Sequence, residues 1–265
     1  MDCKNCHKTL RDTQKFCDDC GAKVIRNRLT PKVLLTQVNE QFLSLDNTFL
    51  RTFIDLFKKP DIVIDGYING TRKKYIDVIT FYAVSLTILG FQMFLLQKLF
   101  PEFLESSNNA FTDNFKVSSD GNDMASANFS NVMNNYQGVV FSIFMPLMAI
   151  GTWVVFMGKQ KHNYTEHVVI NLYIAAQTIF FSAIIFIFLA VINVLDFLTA
   201  TFIVSIPTIL YGAYVFKKIY QSSYINALLR YLAAYIIYMI VFTVIIVLIV
   251  IIALIYALLT GKINL

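Results

Sequence analysis

Five long apolar stretches limit the folds open to this chain. Within their bounds none contains Asp, Glu, Lys, Arg or His, and they run at about 78–96, 139–157, 168–192, 197–216 and 231–258. Each is close to the ~20 residues that an α-helix needs to cross a hydrocarbon core of about 30 Å. The last is longer, so we expect it to tilt or protrude. The pattern predicts an all-α integral membrane protein with five transmembrane helices.

Composition supports a membrane protein over a soluble one. The chain is 57% hydrophobic and 15% charged, whereas an average globular domain has about 25% charged residues. A soluble fold could not bury so much apolar side chain. Residues 77–265 therefore form the predicted transmembrane domain, and the sizeable connection 98–137 is expected outside the membrane. No signal peptide is expected, because the first long apolar run begins near Val78.

The distribution of basic residues predicts the orientation of the spans. If the N-terminus is cytoplasmic, residues 1–77, 158–167 and 217–230 hold 14, two and three Lys or Arg, so 19 of the 22 in the chain. The opposite side holds the remaining three. Cytoplasmic loops of membrane proteins carry such a basic excess. The prediction is a multi-pass membrane protein with the N-terminus in the cytoplasm and the C-terminus outside.

All four cysteines lie in the first twenty residues, as two C-x-x-C pairs: Cys3, Cys6, Cys17 and Cys20. Two such pairs supply the four thiolates of a tetrahedral structural zinc site, which leaves no open position for a substrate. Disulfides are the alternative, but cytoplasmic thiols stay reduced. We predict a zinc ribbon at 1–25 with these four ligands and Zn²⁺ as a structural cofactor.

The residues around the cysteines complete the predicted ribbon. Leu10 and Phe16 are expected to form a miniature core, and Gly21 allows a tight turn with positive φ. His7 is interpreted as a loop residue and not as a ligand. Residues 1–30 carry seven basic and four acidic side chains, and zinc with four thiolates adds about −2. The head is therefore close to neutral, which argues against nucleic acid as a partner.

The segment between head and membrane, 26–76, is polar and amphipathic. Its second half has apolar residues at helical spacing: Phe49, Leu50, Phe53, Ile54 and Phe57. Asp46 or Asn47 is the expected N-cap. A weaker stripe runs over 33–45. These juxtamembrane amphipathic helices either lie in the headgroup region or dock against the spans, and the sequence leaves both open.

At this point the chain resembles a known family. It is similar to bacterial membrane proteins of the domain of unknown function 3667 family, which carry an N-terminal zinc ribbon ending in F-C-x-x-C-G. The matching positions are Phe16 to Gly21, Asn47 to Phe53, Leu56, Pro60, Tyr67, Gly70, Arg72 and Tyr75. His7 departs from the pattern, because such ribbons usually have Gly there, and should alter that turn. The resemblance implies a protein of the bacterial inner membrane whose role is unknown, and it does not supply an activity.

One polar cluster invites an enzymatic interpretation. His162, Glu166 and His167 form H-x-x-x-E-H, which is neither of the usual zinc-protease patterns. No third ligand is apparent, so we interpret the cluster as a solvated turn before the third span. Tyrosines such as Tyr220 are interpreted as an aromatic belt. The spans lack ionisable residues within the predicted bounds, which argues against a proton-driven transporter.

The sequence therefore predicts a non-enzymatic membrane protein with no catalytic residues. Its expected partners are the lipid bilayer and a protein bound through the ribbon, which would act as an interaction or assembly module. Homo-oligomerisation is left open. The alternative is a transporter, channel or lipid-handling protein with the ribbon as a cytoplasmic cap or gate. A membrane hydrolase ranks third, since it needs the two histidines and Glu166 to converge.

Overall fold

A computed structural model describes residues 2–11, 13–22, 24, 45–71, 73–104, 137–159, 161–193 and 195–259. The chain divides into two units, Met1–Asn47 and Thr48–Leu265. The weaker amphipathic stripe up to residue 44, Arg72 of the family signature and most of the predicted outside loop lie outside the described residues. The small unit, which carries the cysteines, is treated with the metal centre below.

Seven long or medium helices are described from Leu45 onward, beside a short helical segment at 101–104. They are α1 (Leu45–Lys58), α2 (Pro60–Ile68), α3 (Val78–Leu99), α4 (Gln137–Phe156, followed by a 3₁₀ turn at Met157–Lys159), α5 (Tyr164–Ile192), α6 (Phe197–Tyr220) and α7 (Tyr224–Leu259). Helices α3 to α7 are the five that are long and apolar enough to cross a membrane. No β-strand occurs in the described residues. The predicted all-α architecture with five spans is confirmed.

The helix ends differ from the predicted span ends. Helix α5 starts at Tyr164 because Asn163 and Glu166 form a capping box, in which each side chain bonds the other's backbone N–H. The helix therefore includes Glu166 and His167. Likewise α6 runs to Tyr220 and α7 already contains Arg230. The expectation that the spans lack ionisable groups is wrong for these full helices, because caps and not hydropathy decide where a helix ends.

Helix α1 docks against the spans, as one of the two alternatives for this segment predicts. The Gln177 side-chain amide donates to the Phe53 carbonyl at 3.0 Å. The Tyr211 hydroxyl donates to the carbonyl of Leu56 at 3.1 Å, near the end of α1. The last carbonyls of a helix have no partner within the helix, so a tyrosine from α6 satisfies one of them. Helix α1 already includes Asp46, so the predicted cap at Asp46 or Asn47 is wrong.

The undocked side of α1 is also apolar. Thr52 and Leu56 are fully buried on the docked side, whereas Leu50 and Ile54 are 55% and 37% exposed. Phe57 lies at the edge of the contact, since it is 39% exposed and its ring is 5.4 Å from that of Tyr211. A helix with an exposed apolar stripe beside its charged residues suits the interface between headgroups and acyl chains. The helix therefore combines both predicted arrangements, with one side on protein and one side suited to lipid.

Two glycines let α7 approach its neighbours closely. A Cβ at Gly151 of α4 would overlap the backbone oxygen of Ala234, and a Cβ at Gly212 of α6 would overlap the ring of Tyr231. Small residues at helix contacts are the usual means of close packing in membranes. Helix α7 consequently closes the bundle against both α4 and α6.

Candidate metal centre and polar chain

The two cysteine pairs form matching turns. The His7 N–H donates to the Cys3 carbonyl at 2.8 Å, and the Gly21 N–H donates to the Cys17 carbonyl at 3.0 Å. His7 and Gly21 both have left-handed backbones, with φ of +60° and +69°. His7 thus takes the place of a glycine without changing the turn type, contrary to the prediction of an altered turn. A side chain in this region costs about 1–2 kcal/mol.

The turns bring all four sulfurs together. The Sγ atoms of Cys3 and Cys20 are 3.6 Å apart and those of Cys6 and Cys17 are 3.5 Å apart. All four lie within 4.8 Å of one another. Tetrahedral zinc with Zn–S bonds of about 2.3 Å requires sulfurs roughly 3.8 Å apart, so the arrangement fits the ion. The four thiols are unbridged, and His7 is not part of the group.

Two of these four thiols, those of Cys20 and Cys6, have pKa values shifted in opposite directions. Hydrogen bonds from the Asn5 side chain and the Ala22 backbone lower the pKa of Cys20 to about 6. A backbone hydrogen bond from Lys8 lowers the pKa of Cys6, but the neighbouring sulfurs and burial outweigh it and raise that pKa to about 12. The neighbouring sulfurs therefore oppose ionisation of Cys6, and a divalent metal among them would stabilise its thiolate.

The core of the cysteine unit is very small. Leu10 is 5% exposed and packs against Cys3 and Cys17, with Val24 at its edge. Phe16 is 54% exposed, so the prediction that it joins this core is wrong. Three buried residues provide little hydrophobic stabilisation, and units of this size usually fold only with their metal.

A second cluster lies where α5 begins and α6 ends. The His162 Nε2 atom is 3.1 Å from Asp65 Oδ1 on α2, and the Lys161 ammonium is 2.8 Å from Asp65 Oδ2. The Lys161 ammonium also donates to the Ile219 carbonyl at 2.7 Å. Burial raises the pKa of Asp65, but hydrogen bonds from His162 and Lys161 outweigh it, so the net pKa lies below the ordinary value. Asp65 is therefore ionised at neutral pH.

The cluster continues inward as a chain of hydrogen bonds. The Tyr220 hydroxyl lies 3.3 Å from His162 Nδ1 and 3.0 Å from His167 Nε2. The His167 Nδ1 atom is 3.2 Å from the Thr152 hydroxyl, to which the Asn171 amide donates at 2.8 Å. We call these residues the polar chain, and its members are Asp65, His162, Tyr220, His167, Thr152 and Asn171.

The polar chain corrects the interpretation of H-x-x-x-E-H as a solvated turn. The His162 side chain is 4% exposed and His167 is 1% exposed. Glu166 does not converge on them, because its carboxylate accepts from the Asn163 N–H. Among the described residues the cysteines form the one group suited to a metal. The hydrolase arrangement is therefore not present in the described geometry.

Aromatic rings enclose the inner part of the polar chain. The ring of Phe216 stacks on His167 with 6.1 Å between centroids, and Phe156 lies 4.6 Å from Phe216. The Arg230 guanidinium lies 5.7 Å from the Phe156 ring centroid. Such a dry shell strengthens the hydrogen bonds inside it. The assignment of Tyr220 to an aromatic belt missed its hydroxyl contacts.

The inner end of the polar chain borders a cavity between the spans. It has a volume of about 450 Å³ and is lined by residues of α3 to α7, among them Gln92 and Asn171. Gln92 is 3% exposed, and its side-chain oxygen has no hydrogen-bond partner among the described residues. The cavity therefore offers a buried hydrogen-bond acceptor within a mostly apolar wall.

The residues of the family signature hold α1, α2 and α3 together. The Tyr75 hydroxyl donates to Asp55 of α1 at 3.0 Å. The Tyr67 ring lies 5.8 Å from the ring of Tyr173, and Gly70 adopts a φ of +95° at the turn after α2. The signature thus describes how the juxtamembrane helices join the first span.

One comparison with known proteins finds a match, and it covers this part of the chain. Residues 46–90 match the family model described as "Protein of unknown function (DUF3667)", which confirms the predicted resemblance. The match includes Asp65 and Gln92 lies just beyond it, while the cysteine unit and both histidines of the polar chain fall outside. No curated protein and no solved structure matches the chain.

Proposed function

We propose that this chain is a non-enzymatic multi-pass membrane protein in which Cys3, Cys6, Cys17 and Cys20 hold a structural Zn²⁺. The observation that carries the proposal is the closed group of four sulfurs within 4.8 Å of one another. Zinc bound by four thiolates has no open position, so it supplies folding energy and no catalysis. The ribbon then serves as an interaction or assembly module attached to a five-span membrane body.

The proposed location is a bacterial inner membrane with the ribbon in the cytoplasm. It is supported by 19 of 22 basic residues falling on one side of the spans. A cysteine introduced as Asn109→Cys should react with an impermeant thiol reagent added outside intact cells. A cysteine introduced as Lys159→Cys should react only after the cells are opened. The reverse labelling pattern would overturn the orientation.

Metal analysis of the purified full chain tests the zinc site. We expect one zinc per chain, lost in Cys17→Ser. The matched control is His7→Gly, which alters the same ribbon but leaves all four sulfurs in place and should retain the zinc. A native chain without zinc, or one holding a different metal, would contradict the proposal.

The interaction role is tested by comparing Cys17→Ser with the His7→Gly control in membranes. Cross-linking followed by mass determination should show a partner or a self-associated species for the native chain and the control. That species should be absent for Cys17→Ser. If all three proteins give the same species and the same mass, the ribbon is not an interaction module.

The cavity favours a second candidate function, the handling of a lipid or another amphipathic molecule by the spans. Its volume of about 450 Å³ falls within the ~300–1,000 Å³ of small-molecule sites. The unpartnered oxygen of Gln92 suits a ligand with one hydroxyl or amide donor. We expect Gln92→Leu to lose such a co-purifying molecule, while Thr87→Val, an exposed position on the same helix, retains it. Equal contents in both variants would contradict this function.

A further inference from the structure

The polar chain is consistent with two hydrogen-bond arrangements that differ by one proton. In the first, both imidazoles are neutral. His162 donates from Nε2 to the Asp65 carboxylate and accepts at Nδ1 from the Tyr220 hydroxyl. Tyr220 accepts from His167 Nε2, and His167 Nδ1 accepts from the Thr152 hydroxyl. Every link then has one donor and one acceptor.

The second arrangement contains one additional proton, on His162. His162 then donates from both ring nitrogens, so the Tyr220 hydroxyl must turn towards His167 Nε2. His167 is then the other neutral tautomer, which carries its one proton on Nδ1 instead of Nε2 and donates it to the Thr152 oxygen. The Thr152 hydroxyl in turn donates to the Ala149 carbonyl, 3.1 Å away. Again no group lacks a partner, so both arrangements avoid the cost of an unpaired buried polar group.

We propose that His162, Tyr220 and His167 form a proton relay that carries one proton from the Asp65 edge towards the intramembrane cavity. In the transfer, the N–H bond at His162 Nδ1 breaks as its proton moves to the Tyr220 oxygen. The original Tyr220 proton moves at the same time to His167 Nε2. Tyr220 remains neutral, and the positive charge moves from His162 to His167.

The two ends of the relay differ in exposure. At the outer end the side chains of Asp65 and Lys161 are 24% and 40% exposed, so water can exchange protons there. At the inner end Asn171 is 3% exposed and lines the cavity. Asn171 donates to the Thr152 oxygen. A change in the direction of the Thr152 hydroxyl therefore alters a hydrogen bond of a residue that lines the cavity. The relay thus connects an aqueous edge to a buried site.

Charged groups from several elements flank the relay. Asp65 of α2 attracts an imidazolium at His162 but already pairs with Lys161. From α5, the Glu166 carboxylate is used in the capping box. From α7, the Arg230 guanidinium lies 5.7 Å from the centroid of the Phe156 ring, which itself contacts the His167 ring. The Asp65 carboxylate at the outer end of the relay is therefore shared between Lys161 and His162.

Nitrogen-15 NMR of labelled histidine in the full chain in nanodiscs tests the relay. The chain has three histidines, and His162→Gln and His167→Gln assign the two relevant signals. In the native protein we expect the His162 and His167 ring nitrogens to shift over one shared pH interval, with a combined uptake of one proton. In Tyr220→Phe, which removes only the hydroxyl, His162 should take up the whole proton and the His167 shift should be lost.

The matched control is Tyr214→Phe, the same substitution on the same helix. The Tyr214 hydroxyl donates to the Lys58 carbonyl and does not touch the relay, so the shared titration should persist. Fluorescence of Trp153, the sole tryptophan, reports whether each variant is folded. If Tyr220→Phe does not fold, His162→Gln is the second test, and His167 should then no longer titrate with the native midpoint.

Two results would overturn the relay. One is that the two histidines titrate independently in the native chain, and the other is that Tyr220→Phe leaves both curves unchanged. Either would make the polar chain a structural network only. The inference goes beyond the proposed function and does not depend on zinc or a protein partner. If the relay is disproved, the zinc and partner proposals therefore remain. If those proposals are disproved, the relay remains.

Discussion

The cysteine unit and the polar chain are both clusters of titratable side chains, but they are assembled in opposite ways. The cysteines that meet lie at most 17 positions apart, and Leu10 is the one other buried residue in their cluster among the described residues. His162 meets Asp65 across 97 positions and Tyr220 across 58, inside a shell of stacked rings. In the proposed function a metal holds the first cluster together, whereas helix packing holds the second. The following predictions separate these two sources of stability.

Removal of the metal should have the largest effect and should be confined to the cysteine unit. Structural zinc contributes about 10–16 kcal/mol of binding free energy in zinc-finger peptides, far more than a core of three residues can replace. After treatment with a chelator, amide hydrogen exchange at 2–24 should become fast. The amides of α3 to α6 are the internal control and should stay protected. Loss of protection throughout the chain would show that the two clusters are not independent.

Gly151→Ala should destabilise the helix bundle and leave the cysteine unit unchanged. The added methyl group overlaps the Ala234 backbone, which cannot move away as a side chain could, so we expect a loss of about 1–3 kcal/mol of bundle stability. Thermal unfolding in detergent measures this loss, and the zinc content should be unchanged. Gly158→Ala is the control, since nothing lies within 4 Å of a Cβ there. Equal melting temperatures for both variants would contradict the close contact between α4 and α7.

Asp65→Asn should weaken the polar chain by about 1–2 kcal/mol, because His162 and Lys161 lose an ionised partner that is itself partly exposed. The folded-state pKa of Asp65 is lowered, so its carboxylate stabilises the fold at neutral pH. That contribution is lost as the pH falls below the ordinary aspartate pKa of about 3.9. Unfolding measured across this range should show a larger acid-induced loss for the native chain than for Asp65→Asn. Parallel curves would show that the ion pair contributes nothing.

His7→Gly should have the smallest effect, and it should stabilise the ribbon where the other changes destabilise the protein. Glycine relieves the left-handed backbone at this position, so the ribbon should gain about 1 kcal/mol and release zinc to a chelator more slowly. Gly21→Ala places the same strain in the second turn and should release zinc faster. If both variants lose zinc at the native rate, backbone strain in these two turns does not affect the metal site.

The two clusters also differ in how far the sequence predicts them. The four cysteines are recognisable because a C-x-x-C pair forms its site within one turn. The polar chain was not predicted, because Asp65, Thr152 and Tyr220 come from three different helices and none of them is unusual in its own segment. The one available signal was a pair of histidines five positions apart, and it was interpreted as a solvated turn.

Span positions were predictable and span ends were not. Hydropathy places each of the five helices because the hydrocarbon core excludes charged residues. The ends depend on local caps, such as the Asn163–Glu166 box, and on carbonyls capped by distant side chains. One example is the Val155 carbonyl near the end of α4, which accepts from Arg230 of α7 at 3.0 Å. The helices therefore extend beyond the apolar spans and include charged residues that hydropathy places outside the spans.

The sequence by itself determined the five apolar helices, the two cysteine turns and the family resemblance over α1 to α3. In each case the decisive physics is local, since it depends on the polarity or spacing of neighbouring residues. Only the tertiary structure decided that α1 docks on α5 and α6, that a cavity lies between the spans and that His162 and His167 share Tyr220. Those features depend on which distant groups helix packing brings within hydrogen-bond distance, and no single segment contains that information.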